Sequence, residues 1–270
     1  MAHDSGITAR QIELAGFEAI WASGLEISAA RGVPDCDLLT MTEFLQAADF
    51  INEATSLPVL ADCDSGHGDA LNVARLVHEY ERHGIAGICL EDKAFPKINS
   101  FAAGQQILAT VEDFVEKIRA AKEAQQNPKF VVVARVEALI AGVGLDEALE
   151  RALAYEAAAA DAIVIHSRAK TAAEIQAFMG RWSGRVPVVV IPTSYPDVTL
   201  EELKRLGVRA VIFANPVLRS AIPSVAHNLA VLAQTGTLAS IEPSLASMEE
   251  VFALQEAVGP YTSLARPGGR

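Results

Sequence analysis

Seven short, nearly continuous apolar runs punctuate the chain: FEAIWASG (17–24), PVLADCDS (58–65), AGICLED (86–92), FVVVARVEA (130–138), DAIVIHS (161–167), VPVVVIPT (186–193) and RAVIFAN (209–215). Each is rich in valine and isoleucine and too short for a typical helix. Runs without polar alternation fit strands buried on both faces, as in a parallel sheet. Segments of helical period lie between them. In LNVARLVHEYERHG, Val73, Val77 and Tyr80 share one face and Gly84 is placed to end the helix. Leu145, Ala148, Leu149, Ala152 and Leu153 repeat the pattern after GVG. Alternating strands and helices predict an α/β fold: a (β/α)8 TIM-type barrel one strand short, or a doubly wound sheet. Polar residues gather at the C-terminal ends of the runs: Ser23, Asp62 and Asp64, Glu91 and Asp92, Arg135 and Glu137, His166, Thr193, Asn215. A barrel brings all such ends to one face, whereas an open sheet gathers only those at its switch point. The pattern favours the barrel.

Composition narrows the classes. The 270 residues carry a net charge of −12, which disfavours nucleic acid and anionic membrane as partners. It leaves room for a small anionic substrate if a metal or local cations reverse the field. No run of ~18 apolar residues appears, so no membrane span is expected. MAHDSG lacks the basic and apolar regions of a signal peptide. Cys36, Cys63 and Cys89 have no C-x-x-C spacing and lie in or beside apolar runs, so reduced, buried thiols and a cytoplasmic location are expected. No linker divides the chain. One domain is expected over 1–258, with GPYTSLARPGGR (259–270) as a mobile tail.

The acids carry the first chemical signal. Asp62 and Asp64 are two apart and share a face if the strand continues through them. Two such carboxylates repel unless a cation lies between them or one is protonated. Glu91, ending the next run, brings a third. Hard oxygen donors with room for water and substrate suit Mg²⁺. Singly, each acid is better explained as a cap for the following helix; three on neighbouring strands favour a metal site. SGHGD (65–69) reads as a βα turn at least as well as a phosphate cradle, with Asp69 capping the helix near Leu71. Arg135, inside an apolar run, needs an anionic partner. Substrate and a structural pairing with Glu137 or Glu91 are about equally good. A lone strand-end histidine such as His166 is more often structural than catalytic. In WASGLEIS (21–28), consecutive N–H groups at Ser23, Gly24 and Leu25 can form an anion nest or a plain connection.

Together these segments resemble the phosphoenolpyruvate mutase branch of the isocitrate lyase superfamily over nearly the whole chain. The matching pieces are GFEAIWASGLEISAARGVPD, LADCDSGHGD, ICLEDKAFPKINS, VVARVEALIAGVGLDEAL, AYEAAAADAIVIHS and VVVIPTSY. The specific marker is Glu91-Asp92-Lys93, five residues, then Asn99-Ser100. Phosphonopyruvate hydrolase looks similar but carries threonine where this chain has Asn99. Lyase relatives place a cysteine in a Lys-Lys-Cys-Gly-His loop, and FPKINSFAAG has none.

The resemblance implies interconversion of phosphoenolpyruvate and phosphonopyruvate. A hydrolase is the second reading and a catalytically silent barrel the third. Asp35, Asp62, Asp64 and Glu91 would hold Mg²⁺ directly or through water. Trp21, Ser23, Gly24 and Leu25 would bind substrate, the last three at its carboxylate. Arg135, His166 and Asn99 would hold the phosphoryl group, and residues about 95 to 108 would form a lid bringing in Lys97 and Asn99. Asp35, Lys97, Asn99, Arg135 and His166 are the catalytic set. The resemblance further implies a homotetramer or homodimer that exchanges a C-terminal helix, assigned to SMEEVFALQEAV (247–258). MAHDSG falls where the family has finished its first strand, so that strand is expected to be absent or truncated. His67 replaces the usual tyrosine or phenylalanine. Ala159 replaces a glycine, at a cost of ~1 kcal/mol if its φ is positive.

Overall fold

Seven strands form inside the seven apolar runs and pair in parallel in sequence order: β1 (Ile20–Ala22), β2 (Val59–Asp62), β3 (Gly87–Glu91), β4 (Val131–Val136), β5 (Ala162–Ile165), β6 (Val188–Val190) and β7 (Ala210–Val211). The structure is a computed structural model and describes residues 5–256. A doubly wound sheet reverses its strand order at a switch point; here every strand follows its predecessor, and the sheet curls as an incomplete barrel. Among the described residues no strand covers the outer edge of β1 or β7, in line with the expected missing strand.

α1 (Gly6–Leu14) precedes β1; α2 (Gly24–Ala30), α3 (Met41–Glu53), α4 (Ala70–Arg82), α5 (Val111–Ala124), α6 (Ala138–Ala141), α7 (Leu145–Ala157), α8 (Ala173–Arg181) and α9 (Leu200–Arg205) lie in the crossovers; α10 (Pro216–Thr235) and α11 (Met248–Glu256) follow β7. Asp69 caps α4 through the N–H groups of Leu71 and Asn72, and the helix buries Val73, Leu76, Val77 and Tyr80. α7 corrects one expectation: Leu153 is 40% exposed, while Arg151 and Tyr155 turn inward instead. Ala159 holds φ 73°, the position where glycine was expected.

Strand phase sets the site. A small inner core of Trp21, Cys89, Val133, Ala162, Val164, Val189 and Ile191 fills the barrel. A larger outer core joins the other strand faces to the helices. Side chains alternate along a strand, so Glu91 follows Cys89 inward, Arg135 follows Val133, and Asp62 follows Leu60, which packs against the same core. Asp92 is out of phase. It points into the helix layer, where Tyr155 and Arg151 of α7 bond its Oδ2 at 2.7 and 3.1 Å. The acids Glu91 and Asp92 therefore divide, one into the barrel mouth and one under it.

The strands are shorter than their apolar runs. β6 stops at Val190 because Pro192 has no N–H for a ladder and begins a 3₁₀ turn, Pro192–Ser194. Cys63 and Cys89 are buried as expected; Cys36 is only half-buried. The tail assigned to 259–270 lies outside the described residues, and of 247–258 α11 takes Met248–Glu256.

Candidate active site

At the C-terminal mouth of the barrel, one cavity of about 40 Å³ is lined by Trp21, Ser23, Leu25, Asp35, Asp62, Lys97, Asn99, Arg135 and His166, among others. That volume holds a few waters. Gly24, Asp64 and Glu91 stand directly behind this lining. Gly24 N–H donates to Asp62 Oδ2 at 3.2 Å. A Cβ on Gly24 would lie 2.8 Å from Asp64 Oδ1, so a larger residue where α2 starts would have to displace that carboxylate. Every sequence-predicted site residue thus falls in one place.

The lid is a loop with a paired stem. Lys93 bridges Leu108, and Ala94 N–H donates to Ile107 O at 2.9 Å. Between these residues the chain turns Lys97 and Asn99 down onto Asp35. Lys97 Nζ lies 2.5 Å from Asp35 Oδ1 and 3.0 Å from Asp64 Oδ1. Asn99 Nδ2 donates to Asp35 Oδ2 at 2.5 Å. Asp37 completes the contact, accepting from Lys97 N–H at 2.6 Å and from Ser65 Oγ at 2.9 Å. Asn99 was expected to face the phosphoryl-binding pair; its amide nitrogen engages Asp35 instead, although the residue lines the same cavity.

Electrostatics divide the acids. Burial works against ionising Asp35, but the Lys97 ammonium and the bonds from Lys97 and Asn99 outweigh it and lower its pKa. Burial pushes Asp62 up to about 6 against the pull of Arg135 and Lys97, and raises Asp64 well above the usual carboxylate range. Burial likewise opposes the charge on Lys97, but Asp64, Glu91, Asp35 and Asp62 together keep it an ammonium. Asp37, Asp64, His67 and Asn215 all hold positive φ, between 49° and 56°. Such strain in non-glycine residues concentrates where a site over-determines the backbone.

The carboxylates at this mouth are the candidate donors for a divalent cation. Among the described residues no three acids, histidines or cysteines are already gathered into a metal cage. The Lys97 ammonium stands among the acids instead. With that ammonium withdrawn the residues fit: the donors are all carboxylates, and Asp64 Oδ2 and Glu91 Oε1 are buried without a hydrogen bond. A hard cation meets both needs.

Arg135 is already paired, its Nε 2.6 Å from Glu137 Oε1 and its Nη2 3.3 Å from Glu91 Oε2. The structural pairing weighed from sequence is present, and the guanidinium still lines the cavity. His166 has Nδ1 2.7 Å from Glu137 Oε1, and its Nε2 is buried without a partner. Burial lowers its pKa despite Glu137.

A sequence profile of the phosphoenolpyruvate phosphomutase family matches residues 1–233. The chain belongs to the phosphoenolpyruvate phosphomutase family. It is 45% identical to the phosphoenolpyruvate phosphomutase of Tetrahymena pyriformis over 94% of this chain and 85% of the relative. The crystal structure of phosphoenolpyruvate phosphomutase from Streptomyces platensis subsp. rosaceus superposes with a TM-score of 0.92 at 48% identity, covering 94% and 88% of the two chains. Phosphonopyruvate hydrolase in complex with oxalate and Mg²⁺ superposes with a TM-score of 0.88 at 43% identity and the same coverage. The protein is an enzyme of this family on a TIM-type α/β fold, and no described helix is long and apolar enough to cross a membrane.

Sequence reasoning missed several residues that line the cavity. Ser100, Phe101, Thr193 and Asn215 also line the cavity. Ser100 lay inside the marker, and Thr193 and Asn215 stood at run ends, which was the available signal. Glu137 stood among the polar run ends, and from sequence its expected partner is Arg135. Nothing local marked Asp37.

Proposed function

We propose that this protein interconverts phosphoenolpyruvate and 3-phosphonopyruvate, moving phosphorus between the enol oxygen and C3. The observation that carries the reading is Asn99: its amide closes with Lys97 over the acid cluster, in the cavity that Arg135 and His166 line. Mg²⁺ bound by Asp62, Asp64, Glu91 and Asp35, directly or through water, would supply positive charge to the enolate oxygens. Ser23, Gly24 and Leu25 hold the substrate carboxylate at the start of α2, beside Trp21. Arg135, His166 and Asn99 hold the transferring, metaphosphate-like group, whose loose transition state demands positioning and charge more than covalent chemistry. The lid keeps water from capturing it.

Phosphonopyruvate hydrolysis to pyruvate and phosphate is the second reading, favoured by the similarity to the hydrolase. A silent barrel is the third. With Mg²⁺ and phosphonopyruvate, ³¹P NMR separates them: phosphoenolpyruvate supports the mutase, inorganic phosphate the hydrolase, and no change the silent barrel. The same reading takes 1–258 as one cytoplasmic domain, with a lid at about 95–108. It also takes the protein as a homodimer or homotetramer. α10 supports this, since it buries none of its residues and exposes Ile222, Val225 and Leu229. The proposed exchange of 247–258 places that segment on a neighbour, while in the single chain α11 lies beside α1. Solution scattering of a compact monomer would contradict the oligomer.

A further inference from the structure

Glu137 is fully buried just after β4 and uses both carboxylate oxygens. Oε1 accepts from Arg135 Nε at 2.6 Å and lies 2.7 Å from His166 Nδ1. Oε2 accepts from Ser100 Oγ at 2.6 Å and lies 3.1 Å from Lys93 Nζ. The backbone is fixed as well, because Glu137 N–H donates to Asp92 Oδ1 at 2.8 Å. Lys93, 1% exposed, spends its other protons inside the lid, on Ile98 O at 2.8 Å and Ser100 Oγ at 2.7 Å. Ser100 Oγ accepts a further bond from Arg135 Nη2 at 3.1 Å. One hydroxyl thus gives its proton to Glu137 and accepts from Lys93 and Arg135, which uses its whole bonding capacity.

We infer that Glu137 is the positioning residue of this site, one oxygen orienting Arg135 and His166 and the other latching the lid through Ser100 and Lys93. Lid closure and orientation of the phosphoryl-binding pair are then one event. The inference rests on the proposed phosphoryl-binding role of that pair. It also assigns a proton. An ionised carboxylate only accepts, so a ring nitrogen 2.7 Å from it carries the hydrogen. Burial opposes the charge on Glu137, and Arg135, His166 and Lys93 outweigh it, keeping it well below the usual carboxylate range. Arg135 Nη2, 2.8 Å from the same ring nitrogen, has Ser100 Oγ and Glu91 Oε2 to donate to instead. Neutral His166 is therefore the Nδ1–H tautomer and presents a bare Nε2 to the cavity. Nε2 binds a phosphoryl oxygen only after taking up a second proton, which Glu137 stabilises through Nδ1.

The test reads the ring and the lid separately, without turnover. In ¹⁵N NMR of the parent protein at pH 7.5, assigned with His166→Gln, Nδ1 should carry the proton and Nε2 should be bare. The opposite tautomer would overturn the inference without any variant. Glu137→Gln should allow the Nε2–H tautomer and raise the rate of lid proteolysis by about tenfold or more, since cleavage follows the open population. Ser100→Ala, which leaves Glu137 charged, should loosen the lid similarly while keeping Nδ1–H. Parent-like lid protection in Ser100→Ala would overturn the latch, even if Glu137→Gln failed to fold. These readouts need no phosphonopyruvate, so they stand or fall apart from the proposed reaction.

Discussion

Replacing Asn99 with threonine removes one defined bond and keeps another. The Asn99 amide donates to Asp35 Oδ2 at 2.5 Å, and its Oδ1 accepts Phe101 N–H at 2.9 Å. Threonine's hydroxyl ends one bond nearer the backbone. It can still accept from Phe101 but falls short of Asp35. A hydrogen bond to a charged carboxylate contributes ~1.5–3 kcal/mol. If that bond helps hold the lid shut in the transition state, its loss slows phosphoenolpyruvate formation by ~10- to 100-fold. The shorter side chain also leaves space for a water beside the transferring group, so a larger share of turnover should end as inorganic phosphate. Asn99→Ala, which supplies no hydroxyl, should slow both products. The assay is ³¹P NMR of phosphonopyruvate turnover with Mg²⁺, integrating phosphoenolpyruvate against phosphate. Parent-like rate and product ratio in Asn99→Thr would leave Asn99 a plain loop residue with no part in closing the lid.

Three further substitutions probe the surroundings. Lys97→Met strips the buried acids of their cation and should lower stability in chelator by ~3 kcal/mol, seen as a shifted urea midpoint that Mg²⁺ largely restores; an unchanged midpoint would count against the acid cluster as drawn. His67 has its pKa lowered from 6.5 to about 4, chiefly by burial. Its neutral form is favoured in the folded state, so stability present above pH 6.5 is lost as pH falls towards 4, by up to ~3 kcal/mol. His67→Phe should remove that part of the acid sensitivity, and parallel pH profiles for the two proteins would show the assignment wrong. Tyr155→Phe deletes the 2.7 Å bond to Asp92 Oδ2 and should cost ~1–3 kcal/mol in urea unfolding; no loss would mean that Arg151 alone satisfies that oxygen.

Much of the site was legible because strand alternation is local. Once the runs are strands, Glu91 and Arg135 are in phase with an apolar core and must enter the barrel mouth. The same rule sends Asp92 outward, which the sequence does not reveal until Arg151 and Tyr155 are known to wait there. Long-range pairings were less accessible. Lys97 meets Asp35 across 62 positions, and only the family marker suggested that a loop lysine would come inside. Glu137 looked like a simple partner for Arg135, since its second oxygen finds Ser100 and Lys93 only after the lid folds back. Strand limits were overestimated because hydrophobic composition continues past the last ladder bond, as at Ile191 before Pro192. Leu153 fits the helical period yet stays exposed, because α7 turns Arg151 and Tyr155 towards the sheet to neutralise and bond Asp92.

In the proposed reaction this acid-lined cavity transfers a phosphoryl group between oxygen and carbon without admitting water. The most direct measurement is turnover of phosphonopyruvate with Mg²⁺ in H₂¹⁸O, followed by ³¹P NMR, where ¹⁸O bonded to phosphorus shifts the resonance. Phosphoenolpyruvate should be the main product, with no ¹⁸O at its three non-bridging phosphoryl oxygens; the bridging oxygen derives from the exchangeable ketone and is not scored. Inorganic phosphate carrying ¹⁸O as the main product would contradict it.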